Sequence, residues 1–308
     1  MPTKVIHTAG FSVLFATPPR PEAIERALLG LQPSRAEASG PTTWRTPLFG
    51  LHVDLPTARA RAHIAAFDCP WPDSMGDPKG DPELFAAWSL GMFGPFTFPG
   101  NLERAMVHAY EFPAARSLAS AHHAFLRVSI TQPSRDAGRA VIYDPLAELQ
   151  AMTNLARALL DAPGALAYFN PGGEVLADAA RIDATNREAR AARVSSLPLW
   201  VNVRVAHFEQ APGWMIMDTI GMGQVDRDDL EAVFPSANAK CGQIAAMLRN
   251  AAEYVRERGP VIADGHTMDS APGHRWVAKT RESGLMPGLV RQVLRWQPVG
   301  AQLPDAFA

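Results

Sequence analysis

Apolar residues in this chain come in short runs, and the spacing inside each run separates strands from helices. "FSVLFAT" (11–17) is a continuous aromatic and branched run stopped by Pro18-Pro19, the pattern of a buried strand. "RPEAIERALLGL" follows with Ile24, Leu28 and Leu31 on one face and Pro21 near its first turn, which predicts a short amphipathic helix. "PLFGLHVDL" (47–55) and "RAHIAAFDC" (61–69) predict two strands, with a link short enough for a hairpin.

The order then recurs. "FLRVSITQP" (125–133) predicts a strand, and "DPLAELQAMTNLARALLDAPG" a helix with Asp144 as N-cap, Pro145 in its first turn and Gly164 beyond its end. "PLWVNVRVAHF" (198–208) and "GWMIMDTIGM" (213–222) predict two more strands, and "NLERAMVHAY" and "NAKCGQIAAMLRNAAEYVRERG" a helix after each set. A repeated strand–helix–strand–strand–helix unit predicts an α+β fold of two fused pseudo-repeats, an antiparallel or mixed sheet with helices on one face. The expected divisions are 1–120, 121–283 with a polar insertion at 170–196, and 284–308, where "PGLVRQVLRW" predicts a last helix before the tail.

Composition narrows the functional classes. Of 308 residues 47% are hydrophobic, enough for a substantial core, and a net charge of −2 gives no field to recruit nucleic acid or anionic lipid. Two cysteines, Cys69 and Cys241, without C-x-x-C spacing argue against a disulfide framework or a structural zinc site. The opening apolar run is too short for a secretory leader, and no run approaches a membrane span, so the expected compartment is the cytoplasm, with no membrane partner.

Two polar stretches compete for chemistry. Asp218, Asp226, Asp228, Asp229 and Glu231 crowd the stretch "DTIGMGQVDRDDLE", and such carboxylates hold hard cations when several oxygens converge. The glycine and terminal glutamate of an EF-hand are out of place, so "DRDDLEAVF" reads first as the acidic start of a helix, with Asp226 or Asp228 as its cap. In "VIADGHTMDSAPGHRW", Asp264 and His266 have the spacing of a general-base pair, with Asp269 and His274 nearby, though Asp-Gly is also a routine turn. His122 and His123 are adjacent and read as a polar strand entry; Cys241 reads as an inert helix residue. No G-x-S-x-G, G-x-G-x-x-G or Walker A motif occurs, and no cofactor is expected. The aromatics crowd into 71–98, where Trp71, Trp88 and Phe96 suggest a lid over the core or anchors for a protein partner.

The stretches "LPLWVNVR", "MIMDTIGMGQVDRDDLEAVF" and "VIADGHTM" resemble a bacterial family catalogued as domain of unknown function four-two-six-one, over roughly residues 120–270. Where a phenylalanine-glycine pair is expected after Thr-Ile-Gly-Met, this chain has "GQVDRDD". The resemblance implies an α+β cytoplasmic protein with no established activity, met in bacterial toxin and type VI-like secretion settings. The expected function is therefore a non-catalytic binding protein, an immunity or accessory protein whose partner is a toxin domain or secretion component. The alternative is a metal-assisted hydrolase built on Asp264 and His266 with Asp218 or Asp226. A homo-oligomer joined through sheet edges is a third reading.

Overall fold

A computed structural model describes residues 9–36, 44–131, 144–237, 240–269 and 275–307. The chain divides into two compact units between Trp200 and Val201. In the first, β1 (Gly10–Phe15), α1 (Pro21–Ala27), β2 (Ser34–Arg35), β3 (Phe49–Leu55) and β4 (Ala60–Phe67) come first. After them come α2 (Pro82–Ser89), α3 (Asn101–Val107), α4 (Leu118–Ala121), β5 (Ala124–Thr131) and α5 (Pro145–Leu159). The unit ends with β6 (Ala165–Asn170), β7 (Val175–Ala177) and α6 (Ala179–Ala192). The second unit holds β8 (Asn202–His207), β9 (Trp214–Ile220), β10 (Asp229–Pro235), α7 (Cys241–Arg258), β11 (Thr267–Asp269), β12 (Arg275–Ser283) and β13 (Arg291–Pro298).

The first sheet runs β2-β3-β4-β5-β1-β6-β7, every described pair antiparallel. Strand alternation puts Phe67, Phe125, Leu14 and Ala167 in register on one face, and these pack with Trp71, Trp88 and Phe93 beneath α2 and α3. Trp71 stands near the centre of this cluster, edge-on to Phe125 and Phe169 at ring separations of 5.3 and 5.2 Å. On the opposite face α5 packs against β1 and β6. The cap expected at Asp144 is present: its carboxylate accepts the N–H groups of Leu146 and Ala147, both at 3.1 Å.

The second sheet is mixed, β11-β12-β13-β10-β9-β8, with β10 and β13 parallel. The α+β class holds, and several finer expectations need correction. β5 lies between β4 and β1, so no division falls at residue 120. β5 belongs to the first sheet and β8 and β9 to the second, so the supposed second copy is split between two sheets of different strand order. Helices cover both faces of the first sheet rather than one. "PGLVRQVLRW" contains strand β13, because Val293 and Arg295 face one side of the sheet and Leu294 and Trp296 the other. A run apolar on both faces fits the helical period by accident.

Candidate functional site

The stretch "DRDDLEAVF" is also a strand. From Asp229 onward it forms β10, with Leu230, Ala232 and Phe234 on one face and Asp229, Glu231 and Val233 on the other. Asp226 and Asp228 therefore start no helix; Asp226 instead ends the short 3-10 turn Met222–Val225 at φ 58, and Asp228 is exposed. Strand alternation carries Asp229 and Glu231 into the interior, where opposite charges meet them.

The register sets Arg204, Asp218, Glu231 and Arg295 in one row across β8, β9, β10 and β13. Arg204 donates from Nε and Nη2 to the two oxygens of Asp218 at 3.0 and 2.5 Å, and both side chains are 0% exposed. Arg291 reaches the same Asp218 oxygen at 2.5 Å and Asp229 at 2.9 Å. Asp229 also accepts the Thr219 hydroxyl at 3.0 Å and the Met222 N–H at 3.1 Å. Arg295 pairs with Glu231, whose second oxygen takes the Ser283 hydroxyl at 2.7 Å. Arg281 and Arg295 then both donate to the Phe307 carbonyl, at 2.8 and 2.6 Å.

Burial pushes the Asp229 carboxyl up, with Arg291 acting against that shift. Burial pulls Arg291 down, but the Asp229 and Asp218 charges outweigh it and hold its pKa above the ordinary value. Each of the three carboxylates has a guanidinium partner, and every one of their oxygens accepts a hydrogen bond. Buried charge arranged this way ties strands together in one register. Among the described residues no three His, Cys, Asp or Glu side chains gather as metal ligands.

On the other face α7 packs over β8, β9 and β10. Arg227 helps close the helix, its Nε donating at 2.8 Å to the carbonyl of Val255 in the last turn. Beside α7, toward the β11 end of the sheet, lies a cavity of about 640 Å³. Met247, Ala251, Ile262, Met268 and Trp296 give it an apolar interior, and Gln243, Asn250 and Tyr254 stand along the helix wall. Its far wall is the run His266–Asp269. The indole Nε1 of Trp296 is buried without a hydrogen-bond partner among the described residues.

The predicted residues fall in separate places. Asp264 is exposed and accepts from the Thr280 N–H at 2.9 Å and Lys279 Nζ at 3.2 Å, contacts that hold its pKa below the usual carboxylate range. His266 lines the cavity, its Nδ1 accepting the Ala263 N–H at 3.2 Å. Asp218 belongs to the buried charge cluster on the opposite face of the sheet. His274 lies outside the described residues. Trp71 and Trp88 are 4% and 6% exposed and serve as core, so of the three proposed aromatic anchors only Phe96, 49% exposed, is at the surface. Of the two readings of the aromatic stretch, Trp71 and Trp88 follow the one that packs it over the core. What sequence reasoning missed was the α7 cavity and the role of Arg204; a lone arginine inside "LWVNVRVA" and a lone aspartate inside "WMIMDTI" were the signal for a buried pair.

Residues 218–297 match the family model described as Domain of unknown function (DUF4261). The resemblance read from the sequence is thus confirmed over a segment. The matched segment runs from Asp218 in β9 to Gln297 in β13, and holds every charged side chain of the cluster except Arg204, together with the whole lining of the α7 cavity. No curated protein and no solved structure matches the chain.

Proposed function

We propose that this protein binds another protein, catalyses no reaction of its own, and recognises its partner through the groove between α7 and β11. The supporting observation is the cavity itself: an apolar interior large enough to seat side chains, bordered by Gln243, Asn250, Thr267 and Asp269 and by the exposed Tyr254. The carboxylates that would serve a hydrolase are committed elsewhere, Asp218 to Arg204 and Arg291, and Asp264 to Lys279 and the Thr280 N–H. The resemblance to a family met in bacterial toxin and secretion settings makes a toxin domain or secretion component the partner to try first, in the manner of an immunity or accessory protein.

Photo-cross-linking from a reactive residue at Tyr254 tests the reading in cells. The expected result is one discrete protein adduct that disappears when Ala246→Arg places a charge in the groove. Ala246 is an exposed lining residue, so that change leaves α7 folded. Failure to form an adduct, or equal yield from the Ala246→Arg chain, would refute it.

A further inference from the structure

We infer that the groove receives an extended segment of the partner, added as a new strand along β11, with apolar side chains facing α7 and a basic side chain opposite Asp269. The inference rests on the protein-binding reading and specifies its mode.

Among the described residues β11 is the last strand of its sheet, paired on one side with β12. The hydrogen-bond phase of that pairing decides which groups are available. The Ala278 N–H donates to the His266 carbonyl at 2.8 Å, and the Gly265 N–H returns to the Ala278 carbonyl at 2.8 Å. Bonded pairs alternate along an antiparallel ladder, so the next bonded pair is Met268 with Trp276. Thr267 and Asp269 then turn their N–H and C=O groups away from β12, toward the open edge.

Side-chain alternation points to the same edge. Thr267 and Asp269 are in register with Val277 and Arg275, on the charged face of the sheet, while His266 and Met268 face α7. All four nevertheless border the cavity. Thr267 and Asp269 therefore border it with main chain, which places peptide groups without a partner among the described residues beside an apolar groove. An incoming strand bonded to those groups would set the residues opposite Thr267 and Asp269 on the charged face and send their neighbours over Met268 toward Met247 and Tyr254.

Charge identifies the occupant further. Among the described residues that line the cavity, Asp269 is the carboxylate. Its carboxylate is 86% exposed and held loosely, with Arg275 at 3.9 Å. A lysine or arginine directly opposite forms a favourable cross-strand pair, and an acidic residue is repelled. The recognised segment thus alternates apolar residues with polar or basic ones.

A labelled eight-residue peptide alternating valine or isoleucine with lysine or threonine tests this by fluorescence anisotropy on the full chain. We expect saturable binding, weakened about fivefold or more when lysine is replaced by glutamate. N-methylation of the lysine and threonine amides should abolish binding, and N-methylation of the valine and isoleucine amides should not. Thr267→Pro removes an N–H that β12 does not use, and should abolish binding with the fold intact. No saturable binding, or equal binding by both methylated peptides, overturns the inference; so does a dimer in solution that Thr267→Pro dissolves, since a second copy would then own the edge. If Thr267→Pro does not fold, the two methylated peptides still decide. A Tyr254 adduct that persists in a folded Thr267→Pro chain would remove strand addition while leaving protein binding standing.

Discussion

Replacing Arg204 with methionine tests whether the buried charges hold the second unit together. Arg204 gives Asp218 two hydrogen bonds and the Pro287 carbonyl a third at 2.8 Å, with both charged side chains out of solvent. Methionine keeps an unbranched apolar stem, shorter than arginine's, and removes the charge, leaving Arg291 as the guanidinium on Asp218. Breaking one side of a buried pair costs about 3–5 kcal/mol; here the surviving Asp218 charge, out of water, keeps only the single Arg291 contact at 2.5 Å and leaves its other oxygen without Arg204. The double variant Arg204→Met with Asp218→Leu restores neutrality, with Arg291 still on Asp229 and Arg295 on Glu231. It should recover about 2 kcal/mol or more of the single-variant loss. Urea unfolding gives the magnitudes, and amide hydrogen exchange in β8 and β9 shows that the loss is local. A single variant that loses less than about 1 kcal/mol, the range of a solvated pair, would refute the reasoning. So would a double variant no more stable than the single.

Phe307 buries its ring against Phe208 and Trp214 while its carbonyl receives Arg281 and Arg295; Phe307→Ala should cost about 3–5 kcal/mol in urea unfolding. Trp71→Ala should destabilise the first unit by a similar amount and leave the Tyr254 adduct of the folded fraction unchanged, because Trp71 is core. His122 accepts the Trp71 N–H at 3.1 Å, and burial holds its pKa below the ordinary histidine value of about 6.5. The fold refuses a proton that the unfolded chain accepts, so stability present above that value is lost as pH falls toward the depressed pKa. Urea midpoints between about pH 7.5 and 5 should decline, and His122→Gln should flatten the slope in part, since burial depresses His63 in the same direction. Asp144→Ala should cost about 1 kcal/mol through loss of the α5 cap, read by thermal unfolding.

How much was legible in the sequence depended on where polar residues ended up. β1, β3, β4, β5, β8 and β9 were readable because their apolar runs stop at proline, glycine or polar links. α5 was readable because Asp144 and Pro145 mark its start in the residue types themselves. β10 and β13 were misread for one shared reason: Asp229, Glu231 and Arg295 are buried and Arg291 half-buried, and reading by hydropathy assigns charged residues to the surface. Each carboxylate looks like a cap until its arginine is known, and that arginine lies about 60 residues away in the chain, as the Glu231–Arg295 and Asp229–Arg291 separations of 64 and 62 show. Neither half of such a pair announces the other. The α7 groove was invisible for a related reason, since α7 and the β11 hairpin meet only once the sheet is formed.

The most direct test of recognition at the α7–β11 groove is hydrogen exchange on the chain with and without its cross-linked partner. Protection concentrated in 243–254 and 266–269, with the outward amides of Thr267 and Asp269 newly slowed, is the predicted footprint. Protection confined to the aromatic stretch 90–98, where Leu90, Phe96 and Phe98 are exposed, would place the partner on the first unit and contradict the account.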